Sequence, residues 1–397
     1  VLGALATGFV LVSALGVTGT LYVAAAVAIL VGGLAMLVGS RIEAREAVDA
    51  PTERGRGATS ALLAAFLCGL VGLGIEIAGF RLLVFFVEGF TVTFAAMLGT
   101  FVAGLGLASL LVGPLVVRGR RPERWIAFLL ALAAIVVVVE LLWVVPELER
   151  WMKDVKAWAY RGVEAPVEGL KLAALAGSFA VLFVPAFVLG ATFPLTVRQA
   201  ELAGLSPGRA VGRVYLANSL GTLIAPFLVT FLVVPYLGPG GAWALLAAVA
   251  VVGAFAVLVQ DRSRLLAWGS VAGVIGLAFV LLQTAEPGRR LVASSHILVD
   301  RPDRKLLAVD SDPVTTASVV ETGEGEKILY TDDFAAAATG RHYRYMRMLG
   351  HLPVLLAKEP KNAMVIAYGT GTTAGAVAAH DEVERIEVVE VSRAVLD

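Results

Sequence analysis

Two glycines and an acid carry the clearest chemistry in this sequence. The apolar run Asn362-Ala363-Met364-Val365-Ile366-Ala367-Tyr368 leads into Gly369-Thr370-Gly371-Thr372-Thr373-Ala374-Gly375, and Glu390 follows nineteen residues after Gly371. The pattern predicts a strand, a glycine turn, an Ala-rich helix over 374–380 and a second strand over 384–390 that ends in the acid. That is one βαβ unit. Glycines at 369 and 371 let the backbone turn tightly and approach a ligand. The start of the following helix offers free N–H groups and the positive end of a dipole. An acid at the carboxyl end of the second strand is placed to accept hydrogen bonds from ribose hydroxyls. Together these point to nucleoside binding. Thr373 and Ala374 intervene before Gly375, so the third glycine of the dinucleotide spacing is missing. This favours an S-adenosylmethionine-type ligand over NAD. The alternative is a doubly wound domain that holds no ligand.

A second set of chemically capable residues lies in apolar surroundings. Glu76 and Arg81 fall in one long apolar stretch, where each ionisable group costs about 2.5–3.5 kcal/mol to insert in a membrane. At i and i+5 they stand about 140° apart on a helix and need not pair with each other. They mark either a polar cavity or ligand path, or pairing between helices that fixes a bundle. Glu140, near the end of another apolar stretch, could snorkel to the interface. Arg213, Tyr215 and Asn218 open a further stretch. No His precedes His296, which excludes a histidine proton relay in the apolar part. Cys68 is the only cysteine, so a disulfide scaffold is excluded.

The elements that must position these residues divide the chain in two. Of 397 residues, 58% are hydrophobic and 16% charged, against roughly 45–50% and 25% in a soluble globule. The net charge of zero hides an asymmetry. Residues 285–397 hold 13 Lys/Arg and 17 Asp/Glu, and the first 284 hold 19 and 15. A charge-poor membrane part therefore precedes a charge-rich soluble part. Without a basic excess, nucleic acid is not an expected partner.

About nine stretches are long enough to span hydrocarbon. They run over 1–17, 20–40, 60–88, 91–117, 124–146, 171–198, 211–236, 241–260 and 265–284. Val1 carries no Met, basic flank or cleavage site, and the chain is expected to begin in mid-protein. Gly238-Pro239-Gly240-Gly241 predicts a tight turn between the seventh and eighth stretches. Residues 147–170 mix Trp151, Trp158 and Tyr160 with Arg150, Lys153 and Lys156, which suits an interfacial helix or a solvated loop. Loops after the even spans carry the arginines (Arg41, Arg118, Arg198 and Arg262 among them), and the positive-inside rule puts them in the cytoplasm. A ninth span would then leave residue 285 onward outside. The expectation is that one stretch is miscounted and the soluble part is cytoplasmic. Leu2-Gly3-Ala4-Leu5 with Phe9 echoes Leu220-Gly221-Thr222-Leu223 with Phe227, the mark of a duplicated six-helix unit of transporter type, or of chance.

In the soluble part, residues 291–330 read as short strands, with Leu306–Val309, Thr315–Val320 and Lys327–Tyr330 the clearest. Residues 341–357 read as a helix that Pro353 would break or kink. The fold class expected is a multi-span α-helical membrane bundle over 1–284, then a small β-region over 285–340. The start of a Rossmann-like α/β nucleoside-binding domain follows over 341–397.

Val365–Asp397, with Leu349-Gly350-His351-Leu352-Pro353 before it, resembles the spermidine synthase (polyamine aminopropyltransferase) family. Gly190-Ala191-Thr192-Phe193-Pro194-Leu195, the segment Gly208–Gly221, and Glu76 with Arg81 resemble its membrane-fused bacterial branch. The resemblance implies an inner-membrane protein with a small β-domain and a Rossmann-like sheet. It implies transfer from decarboxylated S-adenosylmethionine, or S-adenosylmethionine, to a small amine, with no metal. The lipid bilayer and the amine are then its partners, and a homo-oligomer is left open. Gly369, Gly371 and Thr372 would line the nucleoside, Glu390 would hold the ribose, and Tyr345 would lie on the substrate side. The sequence departs from the family at Thr370, where an acid is usual, and at Arg341-His342, where Asp-Glu is expected. Met346 and Arg347 also replace family residues, and three arginines (341, 344, 347) would repel a cationic amine. The family's acidic catalytic segment would lie beyond Asp397, so no catalytic residue is expected in this chain. The alternative reading is a transporter-like bundle with a regulatory or non-catalytic nucleoside-binding domain.

Overall fold

The computed structural model describes residues 2–39, 56–87, 91–116, 121–161, 166–259, 273, 287–340 and 344–396. The apolar part forms α1 (Leu2–Ala6), α2 (Val12–Gly39), α3 (Arg56–Leu83), α4 (Thr91–Val116), α5 (Pro122–Val139), α6 (Val145–Arg161), α7 (Pro166–Gly190), α8 (Thr192–Leu202), α9 (Pro207–Phe227) and α10 (Val234–Val259). Short π-helical segments join α1 to α2, α5 to α6 and α9 to α10.

Six helical runs among the described residues are long and apolar enough to cross a membrane. They cover eight of the nine stretches expected. The difference has a local cause: the breaks near 16 and 238 are single left-handed glycines, so consecutive helices run together. Gly16 has φ 68° and ψ 177°, and Gly238 has φ 66° and ψ 174°. The stretch 265–284 lies outside the described residues, Gly273 aside.

At Gly238 the chain reverses. Before it, Asn218 Nδ2 donates to Ala65 O, and the 226–234 segment meets Leu73 to Arg81 around one cavity, so α9 and α3 ascend together. After it, Trp243 Nε1 donates to Ile75 O, while Gly253 packs on Leu67, so α10 descends against α3. α3 and α9 touch backbone to backbone. A Cβ on Gly221 would lie 2.0 Å from Phe66 O. Small residues permit such contacts between apolar helices, which have no hydrophobic drive to associate inside lipid.

The internal echo takes a different register from the one expected. Thr7–Leu11 and Leu228–Val233 are both π-helical, and the left-handed Gly16 and Gly238 each follow five residues after those segments. Phe9 therefore corresponds to Phe231 rather than Phe227, and Leu15-Gly16 to Leu237-Gly238.

Residues 145–161 continue from the fifth span as an amphipathic helix. Leu148 and Met152 are buried, and Trp151 and Trp158 are exposed.

The soluble part begins with α11 (Pro287–Ser294) and turns over 295–303, not with strands. Leu291, Val292 and Ile297 are buried in the main core of the bundle, which explains their apolar character without a sheet. An antiparallel meander follows: β1 (Lys305–Ser311), β2 (Thr316–Glu321), β3 (Lys327–Thr331) and β4 (Phe334–Ala338). Next come α12 (Arg344–Leu356), β5 (Asn362–Ile366), α13 (Thr372–Ala378) and β6 (Arg385–Val389). Pro353 sits inside α12 without ending it. β5 and β6 pair in parallel, Asn362 opposite Arg385 and Ile366 opposite Val389. Val354, Val365 and Val377 form the core between α12, the sheet and α13. Ala317, Leu329, Ala337, Met346 and Ala394 join the meander to this unit.

The meander rests on one end of the bundle. The Gly238 turn lies against Gly288 and Ser311. Lys153 pairs with Asp300 at 2.7 Å, and Lys156 Nζ donates to Phe86 O at 3.0 Å. This is the end that carries the loops after spans three, five and seven. The soluble part thus stands at the other end of the bundle from Arg198, whose neighbour Gln199 bonds Ser60 at the start of α3, and the conflict over sides persists among the described residues.

Candidate functional site: the glycine turn and its acid

β5 ends at Ile366, and three of the next five residues adopt the left-handed conformation: Ala367 (φ 72°), Gly369 (φ 58°) and Gly371 (φ 74°). The sequence explains two of them. Ala367 is the exception, since a Cβ in this region costs about 1–2 kcal/mol. Its N–H donates to Val389 O at 2.8 Å, which extends the β5–β6 ladder into the turn. Gly371 N donates to Tyr368 O at 2.9 Å and Gly375 N to Gly371 O at 2.8 Å, so the turn closes directly into α13. A Cβ on Gly371 would sit 3.0 Å from Tyr368 Oη. The missing side chain keeps open the space under the phenol. Thr370 and Thr372 hydroxyl oxygens lie 2.8 Å apart.

Glu390 is where the βαβ pattern puts it, one residue past β6. Its Oε2 accepts from Tyr368 N at 2.7 Å, and its Oε1 from Val391 N at 2.8 Å and Ser392 N at 3.0 Å. Burial pushes this carboxyl up. The N–H groups of Ser392, Tyr368, Val391 and Gly369 outweigh that and hold it below the ordinary glutamate value. The structure therefore brings Gly369, Gly371, Thr372 and Glu390 together at the carboxyl ends of two parallel strands. Tyr345 is half exposed in the first turn of α12, beside Met346, whose carbonyl accepts from Thr373 Oγ1 at 3.0 Å. That bond fastens the start of α12 to the start of α13.

Asp312, in the β1–β2 turn, links the site to the membrane part. Oδ1 accepts from Val314 N and Thr315 N, at 2.6 and 2.8 Å. Oδ2 accepts from Ser392 Oγ at 2.7 Å and Ala394 N at 3.2 Å. Burial raises this carboxyl, and the donors from Thr315, Ser392, Ala394 and Val314 more than reverse the effect. The carbonyls of the same turn receive Arg81. Its Nη2 donates to Asp312 O at 3.0 Å, and its Nη1 to Pro313 O at 3.5 Å and to Val314 O. Arg81 and Glu76 are not brought together. A hydrogen-bonded path thus runs from α3 through Asp312 to the loop that carries Glu390.

Sequence reasoning missed Asp312 and the target of Arg81. It also missed the pair His351 Nδ1 and His380 Nε2, 2.9 Å apart across α12 and the end of α13. Glu140, which could have snorkelled to the interface, is buried within the π-helical segment. Among the described residues no three His, Cys, Asp or Glu side chains are grouped to hold a metal ion.

Residues 342–397 match the Spermine/spermidine synthase domain. The C-terminal segment is spermidine synthase-like. Polyamine aminopropyltransferase 1 of Streptomyces coelicolor is 25% identical over 355 residues, 84% of this chain and 59% of that protein. The spermine synthase of Arabidopsis thaliana is 28% identical over 93 residues, 23% of this chain and 26% of that protein. The polyamine aminopropyltransferase of Oceanobacillus iheyensis is 22% identical over 228 residues, 55% of this chain and 42% of that protein. The chain spans between about a quarter and three fifths of the length of these relatives. No solved structure matches.

Proposed function

We propose that the protein is a membrane-anchored, spermidine synthase-like transferase whose C-terminal segment holds an S-adenosyl nucleoside at the turn 367–371. One observation carries this reading: a glycine turn with three left-handed residues is clamped to the acid at the end of the neighbouring parallel strand. Gly369, Gly371 and Thr372 would line the nucleoside. Glu390 accepts from Tyr368 and Gly369 in the turn and from Val391 and Ser392 after it, and a carboxylate offers about four lone-pair positions. Its first duty in this reading is to set the crevice, with ribose contact confined to its remaining exposed edge. Tyr345, beside Met346 whose carbonyl is tied to the start of α13, would stand on the side of the amine.

The bound compound, decarboxylated S-adenosylmethionine or S-adenosylmethionine, supplies a sulfonium leaving group. The amine nitrogen bonds to a carbon beside sulfur, the C–S bond breaks, and its electron pair leaves with the thioether while the amine loses a proton. The protein's part is alignment and acceptance of that proton. None of the residues placed here is a base for that step. The fit test is equilibrium binding of each labelled S-adenosyl compound to the purified chain in detergent. Saturable binding, weakened at least tenfold by Gly371→Ala, is expected. Absence of saturable binding for both compounds refutes the reading.

A second reading has its own observation. The soluble part sits on the end of the bundle away from Arg198, the end that the positive-inside rule counts as outside. S-adenosyl compounds are made in the cytoplasm. A reporter at the C-terminus that responds only outside the cell would favour a bundle with a regulatory or non-catalytic nucleoside-binding domain. A cytoplasmic response favours the transferase.

A further inference from the structure

We propose that Glu76 is the centre of a binding site for a small organic ammonium ion inside the helical bundle. Glu76 is 8% exposed, two turns from the soluble end of α3. Among the described residues no hydrogen bond or ion pair reaches its carboxylate. Buried polar groups are ordinarily satisfied, and a buried charge is paired. Inside a membrane such a residue marks a functional site by default.

The carboxylate is not walled in. It lines a cavity of about 390 Å³ between α3, α4, α8 and α9, and Leu73 and Glu76 also line a second of about 440 Å³ that reaches Arg81 and Val314. Glu140 is buried too, but lines neither cavity. The contents of the first cavity define the ligand. Glu76 is the only charged group among the described residues that line it. Tyr215, Asn218 and Thr222 add neutral oxygens, and Phe101, Phe193 and Tyr215 add aromatic rings. One negative charge, several neutral acceptors and aromatic faces suit an ammonium group on a short carbon chain. A dehydrated divalent metal would need more oxygen ligands of higher charge. Arg81 stands on the far side of Glu76 with its guanidinium turned to the carbonyls of 312–314. Its charge is met there by Asp312 and Asp332, so Glu76 is left without that cation.

Binding has a route to the soluble part. A cation at Glu76 sits on the helix whose Arg81 holds the Asp312 turn, and Asp312 holds Ser392 and Ala394 beside Glu390. This proposal does not depend on nucleoside binding at the glycine turn.

The test uses the purified full chain in detergent, with radiolabelled 1,4-diaminobutane as the probe. Saturable binding is expected, weakened at least tenfold by Glu76→Gln and unchanged by Glu140→Gln, which alters a buried acid outside both cavities. S-adenosyl compounds are titrated in the same preparation, so failure here is distinguishable from failure at the glycine turn. A second measurement needs no variant. A hydrophobic carbodiimide labels protonated membrane carboxyls, and the diamine is expected to protect Glu76, read by mass spectrometry, at least fivefold. No saturable binding, equal binding by Glu76→Gln, equal loss in Glu140→Gln, or labelling of Glu76 without protection would each overturn the proposal.

Discussion

Glu390 and Glu76 are acids on apolar elements, and their surroundings are opposites. Glu390 lies outside the membrane part, and the backbone wraps it with N–H groups from Tyr368, Val391 and Ser392. Glu76 is more deeply buried, and no partner among the described residues reaches it. The first acid is spent on structure, since its lone pairs hold two loops together around a crevice. The second has its bonding capacity unspent beside an open cavity. The bonds of Glu390 shape a crevice, and Glu76 faces the cavity in which the proposed cation would sit.

The comparison is sharpest when both acids become amides. Glu390→Gln leaves one good acceptor where the carboxylate offered two. One N–H among Tyr368, Val391 and Ser392 then loses its acceptor at a partly exposed site, and the soluble part is expected to lose about 1–2 kcal/mol. Glu76→Gln removes no bond, and its effect on stability without ligand is expected to stay below about 1 kcal/mol. Thermal melts of the two variants check this, and equal losses would break the contrast.

Acid acts on the same difference. The folded-state values of Glu390 and Asp312 are both lowered. Their contribution is complete above the unfolded values, about 4.3 and 3.9, and is lost as pH falls through the lower folded values. Hydrogen exchange at Tyr368, Val391 and Ser392, corrected for the intrinsic rate, is expected to accelerate below about pH 4. The membrane helices should keep their protection over that range.

The smallest effect concerns Ala367. A glycine there relieves the left-handed strain at an entropic cost in the unfolded chain, and Ala367→Gly is expected to stabilise by up to about 1 kcal/mol. Denaturant midpoints of the soluble part check the sign.

What the sequence disclosed was local. The glycine turn, its two strands and the acid lie within thirty residues, and each uses a residue type the conformation demands. The Gly238 turn was legible for the same reason. The partners of Arg81 were not, because they are backbone carbonyls more than 230 positions away, and every residue has a carbonyl. β4 was missed because Ala335-Ala336-Ala337-Ala338 carries no strand signature, and only pairing with β3 makes it one. Leu291, Val292 and Ile297 read as strand residues but serve the bundle's core. Glu76 was visible as an anomaly, but its missing partner and its cavity depend on helices far apart in the chain.

The turn 367–371 is the nucleoside site proposed above. Its most direct test is ultraviolet crosslinking of labelled S-adenosylmethionine to the full chain, with the attachment point read by mass spectrometry after trypsin. The account predicts label on the peptide 362–385, which contains the whole glycine turn, and its loss in Gly371→Ala. Label confined to the membrane helices, or no more than in heat-denatured protein, would contradict it.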